Sequence, residues 1–222
     1  MQSFLSIHSF ALVKKGHMEL KERVINTARD LFFMYGLRNV KMDDIAGKLG
    51  ISKKTLYEAF PKKKDIINEI TSQFLGCQEN QQQCIAKEAL DPVDELIKIL
   101  LSINTIFESM NARVIYELQH YFPEAWDIFK KHRENFILKS ITENLERGIK
   151  SGLYRKEINI GIIARMRMQQ IQAAMDPTLF PPDQFDIKEI HKQLLLQYIQ
   201  GVCTARGHEL IKSYLKLNDG KL

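Results

Sequence analysis

Met42-Asp43-Asp44-Ile45-Ala46-Gly47-Lys48-Leu49-Gly50-Ile51-Ser52-Lys53-Lys54-Thr55-Leu56-Tyr57-Glu58-Ala59-Phe60-Pro61 is the stretch from which the fold reads. Ile45, Ala46 and Leu49 fall on one face of a short helix, and Leu56 and Phe60, four apart, on one face of a second. Between them Gly50 supplies the left-handed backbone that a tight turn needs. Ser52 then offers an oxygen to cap the second helix, and Pro61 ends it. Two short helices about a glycine turn, preceded by a longer helix, form a helix-turn-helix, whose second short helix enters a major groove. In that second helix Lys53, Lys54, Thr55 and Tyr57 face outward, while Leu56 and Phe60 hold it to the body. Cations and hydroxyls at a helix N-terminus suit phosphates and base edges, and the buried apolar pair sets the angle of approach.

Outward from this stretch the pattern stays helical. On the N-terminal side Leu20, Val24, Ala28, Leu31, Phe32 and Tyr35 form one apolar stripe over residues 19–35, stopped by Gly36. Residues 1–17 are read as a poorly ordered N-terminal extension to which no function is assigned. Residues 1–13 carry no Asp, Glu, Lys or Arg, but this is short of the roughly 18 apolar residues of a membrane span. Lys14 and Lys15 follow the apolar run, the reverse of a signal peptide. On the C-terminal side Lys62, Lys63 and Lys64 open a helix of about 63–88. Cations at a helix N-terminus oppose the macrodipole by roughly 0.3–1 kcal/mol each, and a bound phosphate reverses that sign. Asp91-Pro92 opens another helix through Val93, Leu96, Ile97, Leu100 and Phe107. Pro123 opens a long one reaching about Gly152, and helices of about 159–175, 185–204 and 207–217 follow. No segment alternates with period two, so the fold class is all-α.

Charge divides the chain in the same place. Of 222 residues with a formal net charge of +5, residues 1–70 hold 13 basic and 8 acidic side chains, and the remainder is neutral. A polyanion-facing module of residues 18–64 on a body of residues 65–222 without positive charge excess is the expected organisation. Three cysteines, Cys77, Cys84 and Cys203, form neither an even set nor a short-spaced pair, which suits a reducing cytoplasm.

The residues from 19 to 67 resemble the DNA-binding domain of the TetR family of regulators. Met42-Asp43-Asp44-Ile45-Ala46, Gly50-Ile51-Ser52-Lys53-Lys54-Thr55-Leu56-Tyr57 and Phe60-Pro61-Lys62-Lys63-Lys64-Asp65 carry the likeness in order, spacing and residue type. The resemblance implies DNA contacts from Ser52, Lys53, Thr55 and Tyr57, and a phosphate contact from Lys64. Lys54 and Lys63 join this set as neighbouring cations. Three positions depart from the family pattern. Lys41 stands where a capping Thr or Ser is usual, at a cost of about 1 kcal/mol, and could reach a phosphate instead. Glu58 replaces the usual His, and Gly47 weakens the second helix by roughly 1 kcal/mol relative to Ala.

The resemblance further implies an all-helical C-terminal bundle that dimerises and binds a small apolar or amphipathic effector. Gly148 to Arg155 and Gly201 to Leu210 look like features of that bundle. Helices near 159–175 and 185–204 are the expected dimer surface, because Met166, Ile171 and Met175, with Leu194, Leu195, Tyr198, Ile199 and Val202, exceed one internal face. Phe107, Met110, Tyr116, Tyr121, Phe122, Trp126 and Met168, with Gln169 or Gln170 as polar handles, are the candidate ligand-binding set. The expected function is a repressor released by its effector from a palindromic double-stranded DNA operator. The alternative is a DNA-binding regulator controlled by a protein partner, which a solid bundle without a cavity would favour. An enzyme is not expected: the sequence has no Gly-rich phosphate loop, nucleophile elbow or metal-ligand spacing, and no metal or cofactor is implied.

Overall fold

The computed structural model describes residues 4–109 and 113–218, with side chains described from residue 19 onward except at 104 and 106–109. Eleven α-helices follow one another in the described residues: α1 (Phe4–Tyr35), α2 (Met42–Leu49), α3 (Lys53–Ala59), α4 (Lys63–Glu88), α5 (Pro92–Ser109), α6 (Arg113–Tyr121), α7 (Pro123–His132), α8 (Leu138–Lys150), α9 (Ile160–Ala173), α10 (Ile187–Val202) and α11 (Ala205–Leu217). No β-strand occurs among the described residues, and one isolated bridge pairs Tyr154 with Cys203. The chain is all-α, as its periodicity predicts. No helix of the described residues is long and apolar enough to cross a membrane.

Two differences from the sequence-based expectation have simple causes. The first helix reaches back to Phe4 instead of starting near Glu19, so most of residues 1–17 continue it. That stretch contains no proline, and only Gly16 is a poor helix former. The expected helix from Pro123 to about Gly152 is continuous, but a π-helical turn, Arg133–Ile137, joins α7 to α8. α6 is a separate element that periodicity did not single out, because only nine residues are available to show a repeat.

Burial is organised around two cores. The first gathers Val24, Ala28 and Phe32 of α1, Ile45 and Ala46 of α2, Leu56 and Ala59 of α3, and Ile66, Ile67 and Ile70 of α4. Val114 and Leu118 of α6 and Ala125 of α7 complete it. The apolar core therefore continues past Lys64 into the helical body. The second core joins α5, α8, α9, α10 and α11 through Ile97, Leu145, Met168, Leu195, Ile199 and Ile211. Each such large side chain contributes roughly 1.5–3 kcal/mol when fully buried.

The ends of α8 and α10 lock together. Arg155 N–H donates to Val202 O at 2.8 Å, and Thr204 N–H to Leu153 O at 2.9 Å. Tyr154 is 1 % exposed and its ring lies over Gly148, where an added Cβ would sit 1.9 Å from a ring carbon. The Tyr154 hydroxyl is 3.1 Å from Pro92 O and 3.0 Å from Asn144 Oδ1. Burial raises its pKa well above the usual range, which keeps it a neutral donor.

Candidate DNA-binding site

The site is built from two helix starts. α2 begins after Lys41, whose side chain makes no cap, and Asp44 compensates: its carboxylate accepts Lys41 N–H at 2.7 Å. The cost expected from the lost Thr or Ser cap is thereby reduced, since an acidic group one turn in also suits the helix dipole. α2 ends at Gly50, with φ +67°, and Ile51 N–H returns to Ala46 O at 3.1 Å. That left-handed residue turns the chain into α3. Ser52 caps α3 as its sequence position predicts: Oγ accepts Thr55 N–H at 3.0 Å and lies 2.8 Å from Thr55 Oγ1.

α3 is held by Leu56, which is fully buried, and by Ala59 and Phe60 behind it. Its outer surface presents Lys53, Lys54 and Tyr57 to solvent, with Thr55 half-buried beside them. Lys53 Nζ is 2.6 Å from Asp43 Oδ2, and this hydrogen bond raises the lysine pKa. Lys54 lies 4.0 Å from Glu58, so Glu58, the departure from the family pattern, faces a cation of its own helix. Both pairs are exposed and worth little in water. They can exchange for phosphate contacts without uncovering a buried charge.

The lysines at the start of α4 divide. Asp65 accepts Lys62 N–H at 3.0 Å, repeating the arrangement of Lys41 and Asp44. Lys63, expected beside the phosphate, turns inward instead. Its Nζ lies 5.6 Å from the Phe32 ring centroid and donates to Arg38 O at 3.4 Å, and burial lowers its pKa. The reason is the helical phase: Lys63 precedes the buried Ile66 and Ile67 by three and four residues, placing its stem along the core. Lys64 is exposed, and its Nζ meets Glu124 Oε1 of α7 at 2.6 Å, while Asn68 donates to the other carboxylate oxygen at 2.9 Å. These bonds raise the Lys64 pKa and lower that of Glu124.

A second tie joins this module to the body. Glu117 of α6, 8 % exposed, accepts Arg38 N–H at 3.0 Å, just after Gly36 ends α1 with φ +87°. The Arg38 guanidinium lies 4.2 Å from the Tyr121 ring centroid. Neither Glu117 nor Glu124 stands out in the sequence, because what marks them is a contact 79 or 60 residues away.

The candidate ligand-binding residues do not converge. Met110 lies outside the described residues, as does the side chain of Phe107. Phe122 and Trp126 pack against the first core, and Trp126 stacks on Phe129 at 5.0 Å. Tyr116 stacks on His120 at 4.0 Å, and Tyr116 and Tyr121 border an open depression with Arg38 and Asp183. Met168 belongs to the second core, Gln169 is exposed, and Gln170 accepts a 3.4 Å hydrogen bond from Arg167. Helical spacing aligned these residues with one another but could not say which of two cores each faces. An apolar-walled cavity of about 100 Å³ in the body is lined instead by residues including Leu96, Ile99, Ile171, Leu195, Arg167 and Tyr198. Arg167 was legible as an arginine on the Ala164-Met168-Ile171 stripe. The apolar surplus expected for a dimer is also smaller than the sequence suggests, since Leu195, Tyr198, Ile199 and Val202 are all spent on the second core. Ile162 and Met166 remain on the surface of α9, each 57 % exposed.

Comparison with known proteins places this arrangement. The family described as "Bacterial regulatory proteins, tetR family" matches residues 24–70. An uncharacterised HTH-type transcriptional regulator of Bacillus subtilis, YvaF, is 24% identical over 165 residues, covering 72% of this chain and 84% of that protein. The HTH-type transcriptional repressor KstR2 of Mycolicibacterium smegmatis is 23% identical over 152 residues, covering 65% and 72%. A transcriptional regulator of the TetR family from Agrobacterium tumefaciens superimposes with a TM-score of 0.69 at 18% identity, over 85% of this chain and all of that one. That likeness speaks for the fold. The helix-turn-helix of residues 24–70 is thus matched by the tetR family of bacterial regulatory proteins, and the helical body behind it shares its fold with a TetR-family regulator.

Proposed function

We propose that the protein is a homodimeric repressor that binds a palindromic DNA operator and is released from it by a small-molecule effector in the helical body. The observation that carries the DNA reading is α3. It is anchored by a buried Leu56 and capped by Ser52, with Lys53, Lys54, Thr55 and Tyr57 on its outer side. Lys41 and Lys64 flank it at the starts of α2 and α4, positioned for phosphates, while the inward Lys63 fixes the turn instead. DNA would displace Asp43 from Lys53 and Glu124 from Lys64, releasing counterions in proportion to the phosphates contacted. Residues 18–64 would then be the reading head and residues 65–222 the sensing and dimerising body, acting in the cytoplasm.

Two recognition helices about 34–36 Å apart would enter successive major grooves. The exposed Ile162 and Met166 on α9, with the outer side of α10, support dimerisation through these helices. The cavity in the body favours a small ligand over control by a protein partner alone. A ligand acts as a switch only if it prefers the conformation that does not fit DNA. The ties from α6 and α7 to Arg38 and Lys64 offer the route, since a shift of either helix moves the reading head.

The test is a gel shift with the fragment upstream of the protein's own gene and with genomic fragments, alongside light scattering. A dimer mass and retention of a palindromic fragment are expected. Ile162→Glu with Met166→Glu should give a folded monomer that no longer retains it. Absence of any retained palindrome would overturn the reading.

A further inference from the structure

The cavity of about 100 Å³ among α4, α5, α8, α9 and α10 has an unusual wall. Most of it is aliphatic, with Leu96, Ile99, Ile141, Ile171 and Leu195 among the lining residues. Into it project Arg167, 8 % exposed, and Tyr198, 7 % exposed. Among the described residues the Arg167 guanidinium has no carboxylate partner. Its hydrogen bond within the protein is the long 3.4 Å contact to Gln170, and it lies 5.1 Å from the Tyr198 ring centroid. The buried Tyr198 hydroxyl has no hydrogen-bond partner. Glu95, the acid on the cavity wall, is already paired with Arg147.

A buried cation without a counter-charge and a buried hydroxyl without an acceptor are both costly, and both are donors. Burial lowers even the arginine pKa, to about 10, so it stays charged near neutral pH. What satisfies such a pair is an acceptor-only anion with a planar, two-oxygen face, matched to the guanidinium fork. The walls beyond require the rest of the ligand to be apolar. Size sets a further limit: a cavity of about 150 Å³ takes a benzene ring, so this one encloses a head group and its first carbons. Gln82, Glu95, Ile99 and Ser140 form a wall shared with an open cleft of about 500 Å³, which leaves a path for a longer tail.

We propose that the effector is an apolar monocarboxylate whose carboxylate is held by the Arg167 fork and the Tyr198 hydroxyl, with its hydrocarbon body among the aliphatic residues of α5, α9 and α10. This rests on the ligand-controlled reading above and names the chemistry of its ligand. It also makes α9 and α10, the expected dimer helices, the elements that the ligand touches.

The test is calorimetric titration of the full-length protein with hexanoate, octanoate and benzoate, each against its matched alcohol. The acids should bind at least tenfold more tightly than the alcohols. Arg167→Met should abolish that preference while leaving alcohol binding in place, and Tyr198→Phe should weaken the acids severalfold. The wild-type comparison of acid with alcohol needs no variant, so a poorly folded Arg167→Met protein would not spare the proposal. Equal binding of acid and alcohol by wild type, or undiminished acid binding by Tyr198→Phe and Arg167→Met, overturns it. A gel shift without acid on the same preparation separates the two readings. Retained DNA binding with no acid preference sinks the ligand class alone, and acid preference without DNA binding sinks the regulator alone.

Discussion

Two glycines show how much a single methyl group decides. Gly47 sits in the middle of α2 with nothing within 4 Å of a Cβ added there, so Gly47→Ala removes a helix penalty without a clash. Unfolding in urea should show a gain of about 1 kcal/mol. Gly148 has the same backbone type but faces the Tyr154 ring. Gly148→Ala must push aside a side chain buried against Pro92 and Asn144, and should cost about 3 kcal/mol in the same assay. Charge acts residue by residue too. Glu124 holds Lys64 at 2.6 Å in the absence of DNA and competes with a phosphate for it. Glu124→Gln should tighten operator binding severalfold, measured by anisotropy. Lys64→Ala should weaken binding similarly for all sequences and reduce the salt slope by roughly 0.9.

At the scale of elements, α6 is a short helix that ties the exit of α1 to the helical body. Glu117 caps no helix of its own; it takes the backbone N–H of Arg38 where the chain leaves α1 for α2. Removing the acceptor leaves a part-buried donor unsatisfied, so Glu117→Ala should cost about 1–3 kcal/mol in urea unfolding. Glu117→Gln keeps an acceptor and should recover most of it. The sequence reading had α2, α3 and α4 nearly to the residue because each is bounded by its own chemistry: a glycine in a left-handed turn, a serine cap, a proline. α6 carries no such punctuation, and its role rests on a partner 79 residues away. The two weak signals at Gly148–Arg155 and Gly201–Leu210 proved to be partners. They meet where Tyr154 bridges Cys203, a pairing that spacing along the chain cannot announce.

Over the whole molecule, the body stores polar groups in its core, and this makes stability depend on pH. His191, 4 % exposed, has its pKa lowered to about 4, by burial first and by the Arg167 charge second. In the unfolded chain a histidine takes up a proton near 6.5, whereas here it stays neutral. Below that point the unfolded state binds the extra proton, so stability falls between about pH 6.5 and 4, by about 3 kcal/mol at most. Urea midpoints against pH should show this fall, and His191→Gln should flatten it. The expected ligand also couples to this region, because Arg167, His191 and Tyr198 line the same cavity.

The sequence by itself determined the reading head: an all-α fold, the helix-turn-helix at 42–61, and the outward face of α3. These depend on interactions within a few residues, such as caps, turns and helical phase, and local chemistry is written locally. Tertiary structure alone decided which helical faces share a core, that Lys63 meets the Phe32 ring and Arg38 O there, and that Lys64 is held by Glu124. It also set Arg167 and Tyr198 on the wall of a cavity and divided Trp126 and Met168 between two cores. Periodicity tells a side chain that it faces inward; it does not tell it which neighbour is there, because that depends on how distant helices pack.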